Sequence, residues 1–262
     1  MATTSSSNSF SSFLKQRPLD GNKYTSGRLL IDAGSHHFPG AAVLTVGGAR
    51  RGGAGYINYL SREKLPTELV LHAYPDVVPV SDYDEQKIDA MVIGPGSPNI
   101  TTLPHAARMI IDGGALALIS HPAPTDQLWI LTPHEGEIAK MGFDPSNREA
   151  CAVKVARELN AVVLLKGRHS LVATPQEISF IDQVAGPELS TAGTGDVLAG
   201  LLGSMIAAHR PDSLQHAAEI LTHAVQIFSG AAQSALRSRV PLVATDLIDE
   251  IPRLLAQEGT SP

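Results

Sequence analysis

The amino-acid sequence predicts an α/β fold in which helices flank a doubly wound, mostly parallel sheet within a single domain. Short apolar strands alternate with helices along most of the chain, and this alternation is typical of a parallel sheet. Several strands run directly into glycine-rich turns, and ligands of open α/β sheets bind beyond the carboxyl ends of the strands. The 262 residues suffice for a large core, and no linker divides them into two domains.

The composition is that of an ordinary globular protein, with 43% hydrophobic and 18% charged residues. The net charge of −6 argues against general nucleic-acid binding. No apolar run is long enough to cross a membrane, and the N-terminus lacks the apolar segment of a secretion signal. The single cysteine, Cys151, rules out an internal disulfide and fits a reducing compartment, so we expect a cytoplasmic location.

The two ends of the chain are expected to lie outside the folded domain. Residues 1–21 begin with a stretch rich in serine and threonine and poor in acids, which indicates a disordered N-terminal tail. A transit peptide is the alternative interpretation, although only Lys15 and Arg17 are basic there. We expect one domain over residues 22–257, followed by a C-terminal tail at 258–262.

The first half of the chain is predicted to hold four strands and one helix of small residues. The strands are short and apolar, and glycines mark the loops that follow most of them. Asp112 stands at the carboxyl end of the fourth strand, beside a Gly-Gly turn. In chain order, the elements are a strand at 27–33, the helix at 41–53, a strand at 55–60, and strands that run into turns at 90–96 and 109–118.

The second half continues the alternation and adds a β-hairpin. The hairpin is indicated by two short apolar runs that flank a polar turn at 174–177. The helices show apolar residues at helical spacing. In chain order, the elements are a strand, turn and helix start at 128–138, a helix at 148–159, a strand at 161–165, hairpin strands at 170–173 and 178–181, and helices after Asp196, at 214–237 and at 244–256.

The stretch STAGTGDVLAGLLGSMIAAH, at 190–209, is expected to form the centre of a site. Its first residues are small or hydroxylated, and Gly193 and Gly195 permit backbone angles that a Cβ would block. A glycine-rich turn that feeds a helix aims free N–H groups and the positive end of the helix dipole at one point, which suits a phosphate. Asp196 is either an ordinary first-turn acid or a base that acts on a hydroxyl about to be phosphorylated. The stretch contains neither a Walker A motif nor a dinucleotide fingerprint.

Candidate ligand groups occur in four loops, at Gly96, His134, Lys166 and Asp196. Because the carboxyl ends of parallel strands meet at one edge of a sheet, we expect these groups to converge. His134 either caps a loop or hydrogen-bonds to a ligand. Lys166 either extends to solvent or meets a nucleotide phosphate.

The G-T-G-D turn and the apolar, glycine-containing helix after it resemble the signature of the ribokinase-like superfamily. A larger set of motifs resembles the ADP/ATP-dependent NAD(P)H-hydrate dehydratase family, in order, from about residue 22 to residue 255. The identification rests on the whole set, since no single short motif carries it. The motifs are NKYTSG (22–27), AGSHHFPGAAVL (33–44), GGAGY (52–56), IGPG (93–96), DGGAL (112–116), LTPHEGE (131–137), VVLLKG (162–167), TAGTGDVLAGLLG (191–203) and ATDLIDEIP (244–252).

The resemblance implies a ribokinase-like fold and an enzyme, a carbon–oxygen lyase that repairs nicotinamide cofactors. Its substrate would be NADH or NADPH whose nicotinamide ring has taken up water, and its co-substrate would be ADP or ATP accompanied by Mg²⁺. The products would be NAD(P)H, AMP or ADP, and phosphate. No cage of protein side chains for the metal ion is recognisable in the sequence. The resemblance further implies ADP as the donor and a homo-oligomer. It also implies cooperation with a separate NAD(P)H-hydrate epimerase, because the motifs leave no residues of this chain to build that domain.

The resemblance also implies roles for single residues. Asp196 would be the catalytic base that removes the proton from the ring hydroxyl, and the backbone before it would form an anion hole for the phosphoryl group. The anion hole would comprise Ala192, Gly193, Thr194 and Gly195. The nucleotide would contact Lys166, Gly167, Arg168, His169, Ser170 and Gly195. The hydrated dinucleotide would contact Ala41 or Ala42, Gly96, His134 and Asp196.

The chain departs from the family pattern at three places. Only Ser97–Arg108 joins the Gly-Pro-Gly turn to the next strand, where the family has a longer helical segment. DGGAL replaces the family's D-A-D-A-L, and KGRHS replaces K-G-x-x-T but keeps a hydroxyl at Ser170. Two alternatives stay open: a related kinase that acts on a vitamin-precursor alcohol of the hydroxymethylpyrimidine or hydroxyethylthiazole type, and a nucleotide-binding module without catalysis. The sequence also leaves ADP or ATP, and NADH hydrate or NADPH hydrate, undecided.

Overall fold

One nine-stranded sheet forms the centre of the computed structural model, which describes residues 10–17 and 19–257. Its strands are β1 (Arg28–Asp32), β2 (Tyr56–Leu60), β3 (Val78–Val80), β4 (Ala90–Ile93), β5 (Arg108–Ile111), β6 (Leu128–Leu131), β7 (Val162–Leu165), β8 (Leu171–Ala173) and β9 (Ile178–Ile181). They lie in the order β3-β2-β1-β4-β5-β6-β7-β8-β9. The first seven are parallel, and β8 and β9 add an antiparallel hairpin beside β7. The predicted doubly wound, mostly parallel sheet is therefore confirmed.

Helices cover both faces of the sheet. They are α1 (Pro39–Ala49), α2 (Lys64–Ala73), α3 (Glu135–Lys140), α4 (Arg148–Leu159), α5 (Thr194–His209), α6 (Leu214–Ala235) and α7 (Ala244–Gln257). One core joins the sheet to α1, α2, α5, α6 and α7, and the other joins it to α3 and α4. Successive strand residues point to opposite faces, so Leu29 and Ile31 enter the first core and Leu30 enters the second.

Helices α1 and α5 pack so closely that their backbones touch. A Cβ atom on Gly200 would collide with the carbonyl oxygen of Thr45, and one on Gly48 would collide with that of Val197. Only glycine permits this approach at either position. The contact fixes the start of α5 relative to the start of α1, and both helices begin after loops at the carboxyl edge of the sheet.

Two elements in the region 61–80 are absent from the sequence-based prediction. Helix α2 has apolar residues at helical spacing, but Pro66 stands in its first turn and works against a helix prediction. Strand β3 has only three residues and contains Pro79, which is tolerated because β3 lies at the edge of the sheet. The pattern of the sequence therefore gives little indication of either element.

Several element boundaries differ from those predicted. Helix α1 begins earlier, at Pro39, because proline suits the first helical position, and it ends at Ala49 rather than at residue 53. The strand expected within 109–118 ends at Ile111, and residues 113–118 form a 3₁₀-helix instead. At the start of α7 the carboxylate of Asp246 accepts a hydrogen bond from the N–H of Val243, at 2.9 Å.

Part of the expected N-terminal tail packs on the domain. Residues Phe10–Phe13 form a 3₁₀-helix, and the ring of Phe13 stacks on that of His223 in α6 with 3.9 Å between ring centroids. This segment differs from a disordered tail because its two phenylalanines contact the first core. Residues 1–9 and 18 and the expected C-terminal tail at 258–262 lie outside the described residues. Within the described part of the chain, no helix is both long enough and apolar enough to span a bilayer.

Candidate active site

The loops that follow the parallel strands lie at the carboxyl edge of the sheet, where α5 also begins. The loops after β1 and β4 are joined by a hydrogen bond from the Gly34 N–H to the Pro95 carbonyl, at 2.7 Å. Those after β6 and β7 are joined by a parallel bridge between His134 and Lys166. The four groups that the sequence places in strand-end loops therefore lie at the same edge.

Lys166 is the centre of a buried cluster of charges. Its Nζ atom lies 2.6 Å from Oδ1 of Asp112 and 3.9 Å from Oε2 of Glu137. The hydroxyl of Thr132 donates to the same Asp112 oxygen at 2.7 Å. Burial opposes the charge of Lys166, but the carboxylates of Asp112 and Glu137 outweigh it and raise the pKa of the ammonium group. Lys166 therefore stays protonated at neutral pH.

Asp196 is the third residue of α5 and carries a carboxylate without a partner. It forms no hydrogen bond or ion pair with any residue that the structure describes. Burial, and then the negative charge of Asp112, raise its pKa from 3.8 to about 6, while Lys166 acts in the opposite direction. A partly buried, unpaired carboxylate with this pKa is a suitable proton acceptor near neutral pH.

The turn before Asp196 presents free N–H groups. Gly193 adopts φ +88° as the residue before the helix, a conformation that favours glycine. Within the described chain, the N–H groups of Gly195 and Asp196 have no acceptor, as expected in the first turn of a helix. Thr194 differs from the other predicted anion-hole residues, because its N–H already donates to the Thr191 carbonyl at 3.3 Å. Its hydroxyl is also engaged, with the carbonyls of Leu189 and Thr191.

A pocket of about 400 Å³ opens between this turn and the end of β7. Of the residues expected to contact the nucleotide, Lys166, Gly167, Ser170 and Gly195 line it, and so does His134. Gly195 leaves room for Lys166, because a Cβ atom on residue 195 would lie 3.6 Å from the Nζ of Lys166.

Two residues expected at the nucleotide do not line this pocket. Arg168 is exposed, and the ring of His169 faces the carbonyl of Asp182, 3.1 Å from its Nδ1. The loop turns these side chains away, so of the run 166–170 only three residues border the pocket. The resemblance assigned the run as a whole and could not separate its members.

The far wall of the pocket is a segment that the sequence did not indicate. Residues 183–190, here called the nucleotide strap, contribute Gly186, Leu189 and Ser190, and α6 contributes Phe228. Ser190 is the first residue of the stretch 190–209, but Gly186 and Leu189 belong to no recognisable motif, and Phe228 has the spacing of an ordinary core residue. Only the tertiary structure brings them to the site.

The nucleotide strap is held to α6 by Asp182, a buried residue at the end of β9. One carboxylate oxygen accepts the hydroxyl hydrogen of Ser229 at 2.5 Å, and the other accepts the N–H of Val184 at 2.9 Å. The side-chain amide of Gln233 donates to the Val184 carbonyl at 3.1 Å. Two residues of α6 therefore fix where the strap begins.

Only some of the residues expected to contact the dinucleotide lie close to one another. Gly96 adopts φ +61°, and a Cβ there would collide with the side chain of Ala41, so these two residues are in direct contact. The hydroxyl of Ser35 donates to the Gly96 carbonyl at 2.8 Å and holds the turn. Ala42 is fully buried and packs beside Gly34, so its side chain is not accessible to a ligand.

His134 has the capping role that was one of its two interpretations. Its Nδ1 accepts the N–H of Glu137 at 3.2 Å, and its own N–H donates to the Glu137 carboxylate at 2.8 Å. This reciprocal pair is a capping box at the start of α3. The ring remains 56% exposed at the pocket, and its Nε2 lies 3.6 Å from a carboxylate oxygen of Glu137.

Comparison with known proteins gives consistent results. The model of the NAD(P)H-hydrate dehydratase family matches residues 29–253. An ADP-dependent (S)-NAD(P)H-hydrate dehydratase of Bacillus subtilis is 30% identical over 92% of this chain and 93% of its own length. A bifunctional NAD(P)H-hydrate repair enzyme of Gloeobacter violaceus is 33% identical over 73% of this chain but only 42% of its own length, so the chain spans less than half of that relative.

The fold also matches a solved structure along nearly its whole length. The crystal structure of an ADP/ATP-dependent NAD(P)H-hydrate dehydratase from Bacillus subtilis, co-crystallised with ATP and Mg²⁺, superposes with a TM-score of 0.80. The match covers 95% of each chain at 27% identity. The predicted ribokinase-like architecture is confirmed by this superposition.

Proposed function

Because the chain belongs to the NAD(P)H-hydrate dehydratase family, we propose that it converts hydrated NADH or NADPH back to NAD(P)H at the expense of ADP or ATP. The observation that carries the proposal is Asp196. Its unpaired carboxylate, with a pKa of about 6, stands at the start of α5 beside free backbone N–H groups and the ammonium group of Lys166.

The reaction needs one proton acceptor and one anion site. Asp196 takes the proton from the hydroxyl of the hydrated ring, and that oxygen attacks the terminal phosphoryl group of the nucleotide. The bond from this phosphorus to the bridging oxygen breaks, and AMP or ADP leaves. The ring then loses phosphate from the same carbon and a proton from its neighbour, which restores the dihydronicotinamide. Phosphate departs more readily than hydroxide, so the nucleotide makes the elimination possible.

The anion site is supplied by backbone and by one ammonium group. The N–H groups of Gly195 and Asp196 would donate to the transferred phosphoryl group, with the positive end of the α5 dipole behind them. Lys166 would hold the nucleotide phosphates as a point charge, since Asp112 and Glu137 keep it protonated and in place. Gly167, Ser170 and the nucleotide strap would enclose the rest of the nucleotide.

The site fits Mg²⁺ only as an ion held mainly by phosphate and water. No cluster of three or more His, Cys, Asp or Glu side chains suited to a metal occurs among the described residues. Glu137, whose carboxylate lies 3.9 Å from the Nζ of Lys166, would be the side chain to contact such an ion or its water. Mg²⁺ commonly binds through one or two carboxylates and substrate phosphates, and when bound it would neutralise charge on the phosphoryl oxygens.

The partners of the reaction follow from the same proposal. We infer ADP as the preferred donor, a homo-oligomer in the cytoplasm, and a separate epimerase that interconverts the two forms of the hydrate. Competing ADP and ATP in one reaction tests the donor, and light scattering of the purified chain tests the oligomer. Turnover of both hydrate epimers without added epimerase would overturn the last inference.

Product stoichiometry tests the proposed function against a kinase. Incubation with hydrated NADH, Mg²⁺ and ADP should yield NADH, AMP and free phosphate in equal amounts. A kinase that acts on a vitamin-precursor alcohol would instead produce a phosphorylated alcohol and release no phosphate. Equal yields support the dehydratase, and a stable phosphorylated product would contradict it.

A further inference from the structure

The proposed function requires room for two nucleotides at once. ADP or ATP fills the pocket between Lys166 and the nucleotide strap, and the nicotinamide ring of the substrate must reach Asp196. The substrate is a dinucleotide, so its adenosine half needs a separate space at the same edge of the sheet. This inference rests on the proposed function and concerns where that adenosine half binds.

A second cavity of about 430 Å³ lies at this edge, between the 3₁₀-helix at Gly113–Leu118 and α3. Leu116, Ile119 and Met141 form the apolar part of its walls. Gly113 and Gly114 also line it, so that part of its surface carries no side chains. Apolar side chains beside bare backbone suit a planar nucleobase.

The cavity is continuous with the charge cluster of the active site. Glu137 lines the cavity, and its carboxylate lies 3.9 Å from the Nζ of Lys166. Lys140, one turn further along α3, is exposed and also lines the cavity. Glu137 thus links the cavity to Lys166, and Lys140 is a cation within reach of a ligand in the cavity.

The neighbouring cavity on the other side of the Gly-Pro-Gly turn is less suitable. It has a volume of about 140 Å³ and contains the carboxylates of Asp32 and Glu63 against the single cation Arg62. Arg62 is already paired with Asp32 at 2.7 Å. A pyrophosphate carries negative charge, so this smaller, net-negative cavity would repel it.

We propose that the cavity between the 3₁₀-helix and α3 binds the adenosine half of the hydrated dinucleotide. The adenine ring lies between the apolar walls, and the pyrophosphate passes Lys140 on its way to the nicotinamide end. The cavity then determines affinity for a dinucleotide but is not used by a substrate that lacks the adenosine half.

Two substrates and two tryptophan variants test the proposal. The substrates are hydrated NADH and the hydrate of reduced nicotinamide mononucleotide, which has the same reacting ring without adenosine. Ala117→Trp fills the cavity from an exposed position, and Ala139→Trp is the matched control, at an exposed alanine of α3 outside the lining. Lys140→Glu is a second test that leaves the packing of the walls unchanged.

We expect Ala117→Trp and Lys140→Glu to lower kcat/KM for hydrated NADH at least fivefold. They should leave kcat/KM for the mononucleotide hydrate and the KM for ADP within twofold of wild type, and Ala139→Trp should change none of these. Equal losses with both substrates, or no loss with either, would overturn the adenosine site. Absence of turnover in the wild-type protein would instead overturn the proposed function, so the two failures are distinct.

Discussion

The Nζ atom of Lys166 lies 2.6 Å from a carboxylate oxygen of Asp112, and this ion pair stands beside the unpaired carboxylate of Asp196. Asp112 directly follows β5, Lys166 directly follows β7, and Asp196 belongs to α5, so only the folded sheet brings the three groups together. Asp112 has two effects, because it fixes Lys166 and it raises the pKa of Asp196 in addition to the effect of burial. The proposed base and the proposed phosphate ligand are therefore coupled.

Asp112→Asn should move the acid limb of the pH profile of kcat to lower pH. The change removes the negative charge that raises the pKa of Asp196, so the proposed base stays ionised in more acidic solution. Thr132→Val is the matched control, because it removes the 2.7 Å hydrogen bond to Asp112 and keeps the charge. An acid limb that is unchanged in Asp112→Asn would show that the two carboxylates are not coupled.

The wild-type enzyme should lose activity as the pH falls through about 6. Asp196 accepts a proton only when ionised, and burial together with Asp112 raises its pKa to about 6. Measuring kcat at saturating nucleotide over the acidic range checks this, with the reaction started by enzyme to limit chemical decay of the substrate. A rate that stays constant well below that pH would exclude Asp196 as the base.

Asp196→Asn should abolish turnover, retain most of the nucleotide affinity, and stabilise the fold at neutral pH by about 3 kcal/mol. The folded pKa of about 6 exceeds the ordinary 3.8, so ionised Asp196 destabilises the native state above pH 6. Below about pH 4 the carboxyl is protonated in both states and the cost vanishes. Denaturant unfolding at acidic and neutral pH checks the sign, and a neutral-pH loss of stability would contradict it.

Ser229→Ala should raise the KM for the nucleotide about fivefold and leave kcat nearly unchanged, from the loss of one hydrogen bond worth about 1 kcal/mol. Ser229 does not line the pocket, but it holds Asp182 and with it the nucleotide strap. Ser234→Ala is the matched control, since that serine of α6 bonds Glu250 in α7 at 2.6 Å. If both variants have the same nucleotide KM, the strap does not depend on the Asp182–Ser229 bond.

Gly200→Ala should destabilise the protein by about 3 kcal/mol, because the added methyl group would collide with the Thr45 carbonyl and force α1 and α5 apart. Gly40→Ala is the control for stability, since a Cβ at that position of α1 has nothing within 4 Å. Thermal unfolding of the two variants measures the difference. Similar melting temperatures would mean that the contact between the helices adapts without cost.

The sequence predicted the sheet, most helices and the convergence of Lys166 and Asp196 because each depends on local patterns. Apolar runs and glycine turns can be identified directly in the sequence. Parallel strands then bring their carboxyl ends to one edge of the sheet. The pairing of Lys166 with Asp112 could not be predicted, since it depends on which strands are neighbours. Phe228 and the Asp182–Ser229 bond were missed for the same reason, and α2 was missed although its apolar residues recur at helical spacing, because Pro66 in its first turn works against a helix prediction.

The most direct test of the proposed dehydratase follows the near-ultraviolet absorbance of the dihydronicotinamide ring. Acid-hydrated NADH is mixed with the protein and Mg²⁺, with ADP, with ATP, or without a nucleotide. We predict a rise in absorbance that requires both protein and nucleotide, is faster with ADP, and is absent with Asp196→Asn. No rise with either nucleotide, from folded protein that binds ADP, would contradict the proposed function.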